Sequence, residues 1–292
     1  MSKRTLTEGF DDFLDRITPS SFETDAAKSH RASIEKCLKD NFGMKNFFRT
    51  GSFGNGTNIS RFSDVDYFAV IPAVNLKKES SKSLSAIRDV LNTRFFSTNV
   101  RVNCPAVSLP FGTDAKEMTE VVPSYYIKDD YRGYQIYGIP DCNNGWMNAS
   151  PVAHNAYVRE KDNKLSNKLK QLIRLLKAWK YYCNVPILSF YLELRTTKCC
   201  ETMDGIVYIY DIKHVFKYLY DCELSQMQDP MGISGYINPC RSDNQIEESM
   251  SKLSTALTRS EYALDAFNKN DIEKTFNYLD KIFDGNFPSY YK

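Results

Sequence analysis

The sequence predicts an α+β protein with two lobes, a mixed sheet with helices in residues 1–150 and a helical lobe in residues 151–292. Short runs of β-forming residues, separated by prolines, occupy much of residues 46–140. After Pro151, apolar residues recur at helical spacing instead. The 292 residues, of which 42% are hydrophobic, are enough for one large domain or two closely packed lobes.

The first half begins with helices and continues mainly as strands. Apolar residues at helical spacing predict a helix at residues 6–18 and a longer one at 21–41, which ends near Gly43. The later predicted elements are a strand at 46–49, a Gly/Asn/Ser loop at 51–60, a strand at 64–71, a helix at 80–94, and strands at 99–110, 118–127 and 131–139.

The second half is predicted to be mostly helical. Residues 165–184 place Leu169, Leu176 and Trp179 on one apolar face, which indicates an amphipathic helix. Further helices are predicted at 189–200, 209–222, 243–268 and 270–283.

Composition limits the classes of function. The net charge of +2 and the pI near 8.0 are not those of a typical nucleic-acid-binding domain. No apolar run approaches the roughly 20 residues of a membrane span, and no apolar signal segment follows Met1, so we expect a cytoplasmic protein with no membrane association. The eight cysteines form no C-x-x-C pair and are expected to be reduced thiols. An irregular metal site formed by Cys199 and Cys200 with His214 or Cys222 is an alternative.

Two acidic residues at the start of a predicted strand point to phosphate chemistry. Asp64 and Asp66 are two positions apart, so their side chains project from the same face of a strand. Their charges repel unless a cation lies between them, and Mg²⁺ prefers carboxylate oxygens. The alternative is a turn residue beside a solvent-facing one. The loop with Gly51 and Ser52 just upstream favours the metal site, because small residues let backbone N–H groups approach a phosphate.

A third carboxylate is expected nearby, since two-metal phosphoryl transfer usually requires one. Glu120, among β-forming residues and directly before Val121-Val122-Pro123, is the best candidate. Glu117 and Asp114 are alternatives in the preceding turn. Glu120 could otherwise be a surface residue on an edge strand.

Cations for a triphosphate are expected on the predicted helix at 165–184. Lys170, Arg174 and Lys177 lie at i, i+4 and i+7, which predicts a basic face opposite the apolar one. An ordinary solvated face has the same pattern.

Several motifs together resemble a known enzyme family. They are Gly51-Ser52 with Gly56-Thr57, Asp64-Val65-Asp66, Glu120-Val121-Val122-Pro123 and Leu175-Leu176-Lys177-Ala178-Trp179. In this order they resemble the polymerase-β-like nucleotidyltransferase superfamily and, more narrowly, the bacterial cGAS/DncV-like nucleotidyltransferases related to oligoadenylate synthase. The third carboxylate of that family is commonly Asp, whereas this chain has Glu.

The resemblance implies a bilobal fold with nucleotides in the cleft. It implies that Asp64, Asp66 and Glu120 hold two Mg²⁺ or Mn²⁺ ions. The residues expected to contact the donor nucleotide are Gly51, Ser52, Lys177 and Ser189 at its phosphates and Phe190 at its base. Alternatives are Lys180 as the phosphate-binding cation, Ser189 as a helix cap and Phe190 as a core residue.

The function that the resemblance implies is template-independent condensation of nucleoside triphosphates into a cyclic di- or trinucleotide. Such a second messenger would reach a downstream effector in antiphage signalling of the CBASS type. No His/Cys cluster matches the DNA-binding insertion of animal cGAS, so direct activation by DNA is not expected. The alternatives are a nucleotidyltransferase acting on RNA, a protein or a small molecule, and a catalytically degenerate nucleotide sensor. The bases, ring size, linkage and oligomeric state are left open.

Overall fold

A mixed sheet organises the first half of the computed structural model, which describes residues 2–19, 25–60, 62, 64–112 and 117–292. Its strands are β1 (Asn46–Arg49), β2 (Val65–Val70), β3 (Arg101–Asn103), β4 (Ala106–Phe111), β5 (Glu117–Asp129), β6 (Gln135–Pro140) and β7 (Trp146–Ala149). The helices of this half are α1 (Leu6–Ile17), α2 (Asp25–Phe42), α3 (Gly51–Asn55) and α4 (Ser80–Arg94).

The strand order places β5 at the centre of the sheet. The order is β1-β2-β5-β4-β3, and the second half of the long β5 also pairs with β6, which pairs with β7. Strands β2 and β5 run parallel, with Asp66 opposite Glu120, whereas β4 lies antiparallel to β5, with Ser108 opposite Glu120. Three neighbouring strands therefore bring these three side chains into one row.

Helices dominate the second half. They are α5 (Pro151–Lys164), α6 (Leu169–Tyr182), α7 (Ser189–Cys199), α8 (Tyr208–Asp221), α9 (Asp243–Asn268) and α10 (Ile272–Ile282), and the short strands β8 (Met227–Gln228) and β9 (Tyr236–Ile237) form a hairpin. Trp179 of α6 packs edge-on against Phe216 of α8 in their common core. Within the described residues, no helix combines the length and the apolar character needed to cross a bilayer.

The sequence analysis groups the N-terminal helix α1 with the sheet, but α1 packs against the helical half. Phe10, Phe13 and Ile17 of α1 are buried in the core of the helical half, together with Phe287 near the C-terminus. Helices α2 and α4 do pack against the sheet, through the core that contains Tyr67 and Val107. The amphipathic pattern of α1 shows that one face is buried but not which partner buries it.

Most predicted elements are present within four residues of their expected ends, and three regions differ. The predicted loop at 51–60 begins with the short helix α3. The predicted strand at 99–110 is a hairpin, because its chain turns between β3 and β4 at Cys104-Pro105. The helix predicted from residue 21 begins at Asp25 as far as it is described, and residues 20–24 lie outside the described ranges.

Helix α5 was not predicted because its apolar residues lack a clear helical period. Local capping defines its start instead. The Ser150 hydroxyl accepts a hydrogen bond from the backbone N–H of Ala153, and Pro151 occupies the first helical turn, where a missing N–H costs nothing.

Two cysteines correct the expectation of reduced thiols. Cys104, in the turn between β3 and β4, forms a disulfide with Cys142, which follows β6. The two are 38 positions apart, and only the sheet brings their turns together. The free cysteines among the described residues are Cys37, Cys183, Cys199, Cys200, Cys222 and Cys240.

We expect that Cys142→Ser lowers the free energy of unfolding by roughly 4 kcal/mol, because the bond restricts the unfolded chain across its 38-residue separation. Urea unfolding with and without a reductant measures this change. Cys37→Ser is the matched control, because Cys37 is a free cysteine. If reductant and Cys142→Ser leave the unfolding midpoint of the wild type unchanged, this disulfide does not stabilise the protein in solution.

Candidate active site

The acidic side chains lie on neighbouring strands at one end of the sheet. Asp66 is the second residue of β2, and Asp64 directly precedes that strand. Glu120 of β5 is the register partner of Asp66. The structure therefore brings the predicted pair and the predicted third carboxylate together.

Gly51 lies against the Asp66 carboxylate. A Cβ atom at this position would be only 2.0 Å from Oδ2 of Asp66, and Gly51 has a left-handed φ of +60°. The backbone N–H of Thr50 also donates to the Asp66 carbonyl, at 2.9 Å. A glycine is therefore required here, both by the close approach and by the backbone conformation.

The charges of this acidic cluster are poorly compensated. Burial, repulsion by Glu120 and repulsion by Asp64 raise the pKa of Asp66 to about 8. Burial and repulsion by Glu120 raise the pKa of Asp64 to about 6, although Lys180 and Arg101 oppose the shift. A cation between the carboxylates would remove this penalty, so their chemistry fits a divalent metal.

The carboxylates form an open site rather than a closed metal cage. Within the described ranges, no three His, Cys, Asp or Glu side chains converge closely enough to enclose an ion. This finding covers the alternative site at Cys199 and Cys200 as well as the acidic cluster. Mg²⁺ commonly takes one or two carboxylates and completes its shell with water and substrate phosphates, so Asp64, Asp66 and Glu120 suit it.

Glu120 is held by two neutral donors that the sequence analysis did not identify. Asn103 Nδ2 and Ser108 Oγ each donate to its Oε1, at 2.8 Å. Of the alternative carboxylates, Glu117 lies at the start of β5 and contacts His30 Nδ1 at 3.1 Å. Asp114 lies outside the described residues.

The predicted basic face of α6 is not a solvated face. Lys177 is only 1% exposed, and its Nζ donates to Glu193 and, at 2.9 Å, to Thr57 Oγ1. Arg174 is half-buried. The alternative of a solvated face fails at Lys177 because α6 is surrounded by other helices, so a position opposite its apolar stripe is also covered.

Glu193 links three elements through this buried cation. Its carboxylate accepts hydrogen bonds from Asn55, Thr57 and Lys177. Burial by itself would raise the pKa of Glu193, but Lys177 and these hydrogen bonds hold it below its ordinary value. The ion pair therefore joins α6 to α7, and hydrogen bonds of Asn55 and Thr57 tie the segment that begins with Gly51 to this pair.

Lys180 lies closer to solvent than Lys177. It is half-buried, with Nζ 4.1 Å from the centre of the Tyr181 ring. Burial and Lys177 lower the pKa of Lys180 to about 8, whereas Asp64 raises it. Lys180 is thus a partly exposed cation within electrostatic reach of Asp64.

Ser189 and Phe190 begin α7. The residue before them, Leu188, occupies the capping position, and the Ser189 hydroxyl lies 3.2 Å from the Tyr181 hydroxyl. Phe190 is 44% exposed and meets His154 edge-on, with ring centres 5.1 Å apart. Phe190 is therefore not the core residue that the alternative describes.

His154 makes contacts typical of a structural histidine. Its Nε2 lies 3.0 Å from Asp229 Oδ1 in a buried pair. Asp229 also accepts backbone N–H groups from the loop between β8 and β9, at Met231, Ile233 and Ser234. This contact fixes the loop beside Phe190.

Sequence reasoning missed the residues that support the site. Asn103, Ser108 and Glu193 act across strand pairs or between helices, so no local motif contains both partners. The strand pattern could have suggested Ser108 only if the pairing of β4 with β5 had been known.

Comparisons with known proteins identify a family and several relatives. The family described as Second Messenger Oligonucleotide or Dinucleotide Synthetase domain matches residues 5–162. A probable cyclic nucleotide synthase of Bacillus cereus strain VD146 is 22% identical over 174 residues, which are 59% of this chain and 52% of the relative. The chain thus matches about half the length of this curated relative.

Two solved structures share the fold. CdnC of E. coli MS115-1, in a complex with HORMA-deltaN, has a TM-score of 0.72 at 16% identity and covers 97% of this chain and 98% of its own. Vibrio cholerae DncV cyclic AMP-GMP synthase, with a linear intermediate, has a TM-score of 0.66 at 13% identity and covers 97% and 86%. The predicted polymerase-β-like fold with a helical C-terminal region is confirmed.

We expect that Asp66→Asn stabilises the metal-free protein. The folded-state pKa of about 8 lies above the ordinary 3.8, so ionisation of Asp66 costs stability progressively as the pH rises between these values. At pH 8 in a chelator, the variant should be more stable than the wild type by up to several kcal/mol, and the gain should nearly vanish at pH 4. Thermal unfolding from pH 4 to pH 8 measures the gain, and Asp204→Asn, an exposed position, is the control. An equal gain in stability at pH 4 and at pH 8 would contradict the raised pKa of Asp66.

We expect that Glu193→Gln destabilises the protein by about 3 kcal/mol, because it leaves the buried Lys177 charge without its partner. Glu248→Gln is the control, since its pair with Lys252 is solvent-exposed and should contribute less than about 1 kcal/mol. Urea unfolding compares the two variants. Equal costs would show that the Lys177–Glu193 pair contributes no more than a surface pair.

Proposed function

The chain belongs to the family of second messenger oligonucleotide or dinucleotide synthetase domains, and from this premise we propose that it is a template-independent nucleotidyltransferase that condenses nucleoside triphosphates into a cyclic di- or trinucleotide. The observation that carries the proposal is the row of Asp64, Asp66 and Glu120, where burial and mutual repulsion raise the pKa of both aspartates. In this proposal residues 1–150 form the catalytic lobe and residues 151–292 the nucleotide-binding lobe.

Asp64, Asp66 and Glu120 are the residues that would hold two Mg²⁺ or Mn²⁺ ions. When bound, these ions supply charge neutralisation at the donor triphosphate and lower the pKa of the acceptor hydroxyl. The carboxylates also exclude a misplaced anion, because an uncompensated phosphate oxygen beside them would be repelled. The acceptor oxygen attacks the α-phosphate of the donor, and pyrophosphate leaves.

The donor nucleotide is bound by both lobes. Gly51 lets the backbone approach the phosphates, and Ser52 and Ser189 offer hydroxyl groups from opposite sides. Phe190 is exposed enough for a base to stack on its ring. These roles are those that the resemblance to the nucleotidyltransferase family implies for these residues.

Two lysines of α6 are candidates for the cation that binds the triphosphate. Lys177 can reach a phosphate only if its Nζ gives up Glu193, which would then be a buried charge without its partner. Lys180 is partly exposed and lies within electrostatic reach of Asp64, so it meets a phosphate without that cost. We propose that Lys177 orders the turn at Ser52 and acts on phosphate through its charge, while Lys180 provides the more accessible ammonium group.

Family membership supports a signalling role for the product. DncV is described as a cyclic AMP-GMP synthase, and CdnE of Elizabethkingia meningoseptica as a cyclic dinucleotide synthase crystallised with GTP and Apcpp. By analogy, the product of this chain would act on a downstream effector in CBASS-type antiphage signalling in the cytoplasm.

To test the proposal, the purified protein is incubated with ATP, GTP, CTP and UTP plus Mg²⁺ or Mn²⁺. Products are treated with phosphatase and resolved by mass spectrometry. We expect a resistant species with the mass of a cyclic di- or trinucleotide, lost by more than about 100-fold in Asp64→Ala/Asp66→Ala protein. Asp204→Ala, which changes an exposed carboxylate elsewhere, should retain activity.

Other outcomes would identify the rival functions. Pyrophosphate release only when RNA is added would indicate an RNA-directed nucleotidyltransferase. Binding of a non-hydrolysable ATP analogue, without pyrophosphate release from any nucleotide or acceptor, would indicate a nucleotide sensor. Either result would contradict synthesis of a cyclic messenger by this chain.

A further inference from the structure

The Glu120 carboxylate is oriented by donors on two other segments of the sheet. Asn103 Nδ2 and Ser108 Oγ both bind Oε1, each at 2.8 Å. Within the described part of the chain, no hydrogen bond to Oε2 is found. One oxygen is thus restrained while the other stays available.

Both donors are themselves well positioned. Ser108 is buried in β4 and is the register partner of Glu120. Asn103 ends β3, where it pairs with Ala106. The next residue, Cys104, is bound to Cys142, so a covalent link anchors the turn beside Asn103.

The restraint matters because of where Glu120 lies. It sits on β5 between Ser108 on β4 and Asp66 on β2. A glutamate side chain has three rotatable bonds, and repulsion by Asp66 and Asp64 favours rotamers that move its charge away from them. The two neutral donors, Asn103 and Ser108, restrict these rotamers without placing a cation that would compete with a metal ion.

We propose that Asn103 and Ser108 are positioning residues for Glu120, which hold Oε1 so that Oε2 is presented to a divalent cation shared with Asp64 and Asp66. This inference rests on the proposed function, because it assumes that Glu120 is a metal ligand. Partners that orient a metal ligand commonly change metal affinity by about 10- to 100-fold when they are removed. Neither residue touches the substrate in this proposal.

The inference is tested, without relying on activity, by measuring how the purified full chain binds Mn²⁺ alone. The EPR signal of free Mn²⁺ reports the binding. Asn103→Ala and Ser108→Ala should each weaken Mn²⁺ binding about 10-fold. Ser124→Ala is the matched control, because Ser124 is a buried serine on β5 whose hydroxyl donates to the Ala69 carbonyl instead of Glu120. Thermal unfolding identifies any variant whose fold is lost.

A double-mutant cycle separates positioning from a general structural effect. In a Glu120→Ala background, the further change Asn103→Ala should leave Mn²⁺ affinity unchanged within about twofold, because there is no carboxylate left to orient. An undiminished 10-fold loss in that background would overturn the inference, since Asn103 would then act independently of Glu120.

The two possible failures are distinguishable. If Asp66→Ala abolishes Mn²⁺ binding while Asn103→Ala and Ser108→Ala bind like the wild type, the metal site stands and the positioning role is wrong. If Asp66→Ala and Glu120→Ala also bind Mn²⁺ like the wild type, the metal site of the proposed function is itself wrong.

Discussion

Repulsion among carboxylates on adjacent strands is the constraint around which this protein is built. The parallel pairing of β2 with β5 sets Asp66 opposite Glu120, and Asp64 precedes the same strand. Such an arrangement costs stability in the absence of a cation, as the raised pKa values of both aspartates indicate. The surrounding contacts offset this cost and keep the carboxylates in place.

Three kinds of contact hold the acidic row. Gly51 packs directly on Asp66, where any side chain would collide with the carboxylate. Asn103 and Ser108 hold Glu120 from the other side of β5. Behind the turn, the buried Lys177–Glu193 pair joins α3 to α6 and α7, and its positive end partly offsets the charge of Asp66. Neutral donors contact Glu120, whereas the cations that act on the two aspartates are Lys177 and Lys180 of α6 and Arg101 of β3.

In the proposed function, the helical half contributes the second wall of the site. Lys180, Tyr181 and Ser189 form a continuous polar edge, and Phe190 stands partly exposed beside the His154–Asp229 pair. Because α1 also packs in the helical core, the N-terminal segment joins the two halves rather than belonging to the sheet. The position of one lobe relative to the other therefore depends on the packing of the N-terminal segment as well as on the packing of later parts of the chain.

The sequence by itself determined most of the helices and strands and the acidic motif of this protein. Apolar periodicity placed α4 and α9 at their observed ends, and the spacing of two between Asp64 and Asp66 put both on one face of a strand. Local patterns are enough for such features because their cause lies within a few residues.

Only the tertiary structure decided which partners these residues meet. It showed Lys177 in an ion pair rather than on a solvated face, Cys104 bonded to Cys142, and Glu120 held by Asn103 and Ser108. Helical spacing cannot tell whether a second face is also covered, and no strand encodes its own register with a distant partner. Those contacts arise from packing energies summed over the whole chain, which no short pattern contains.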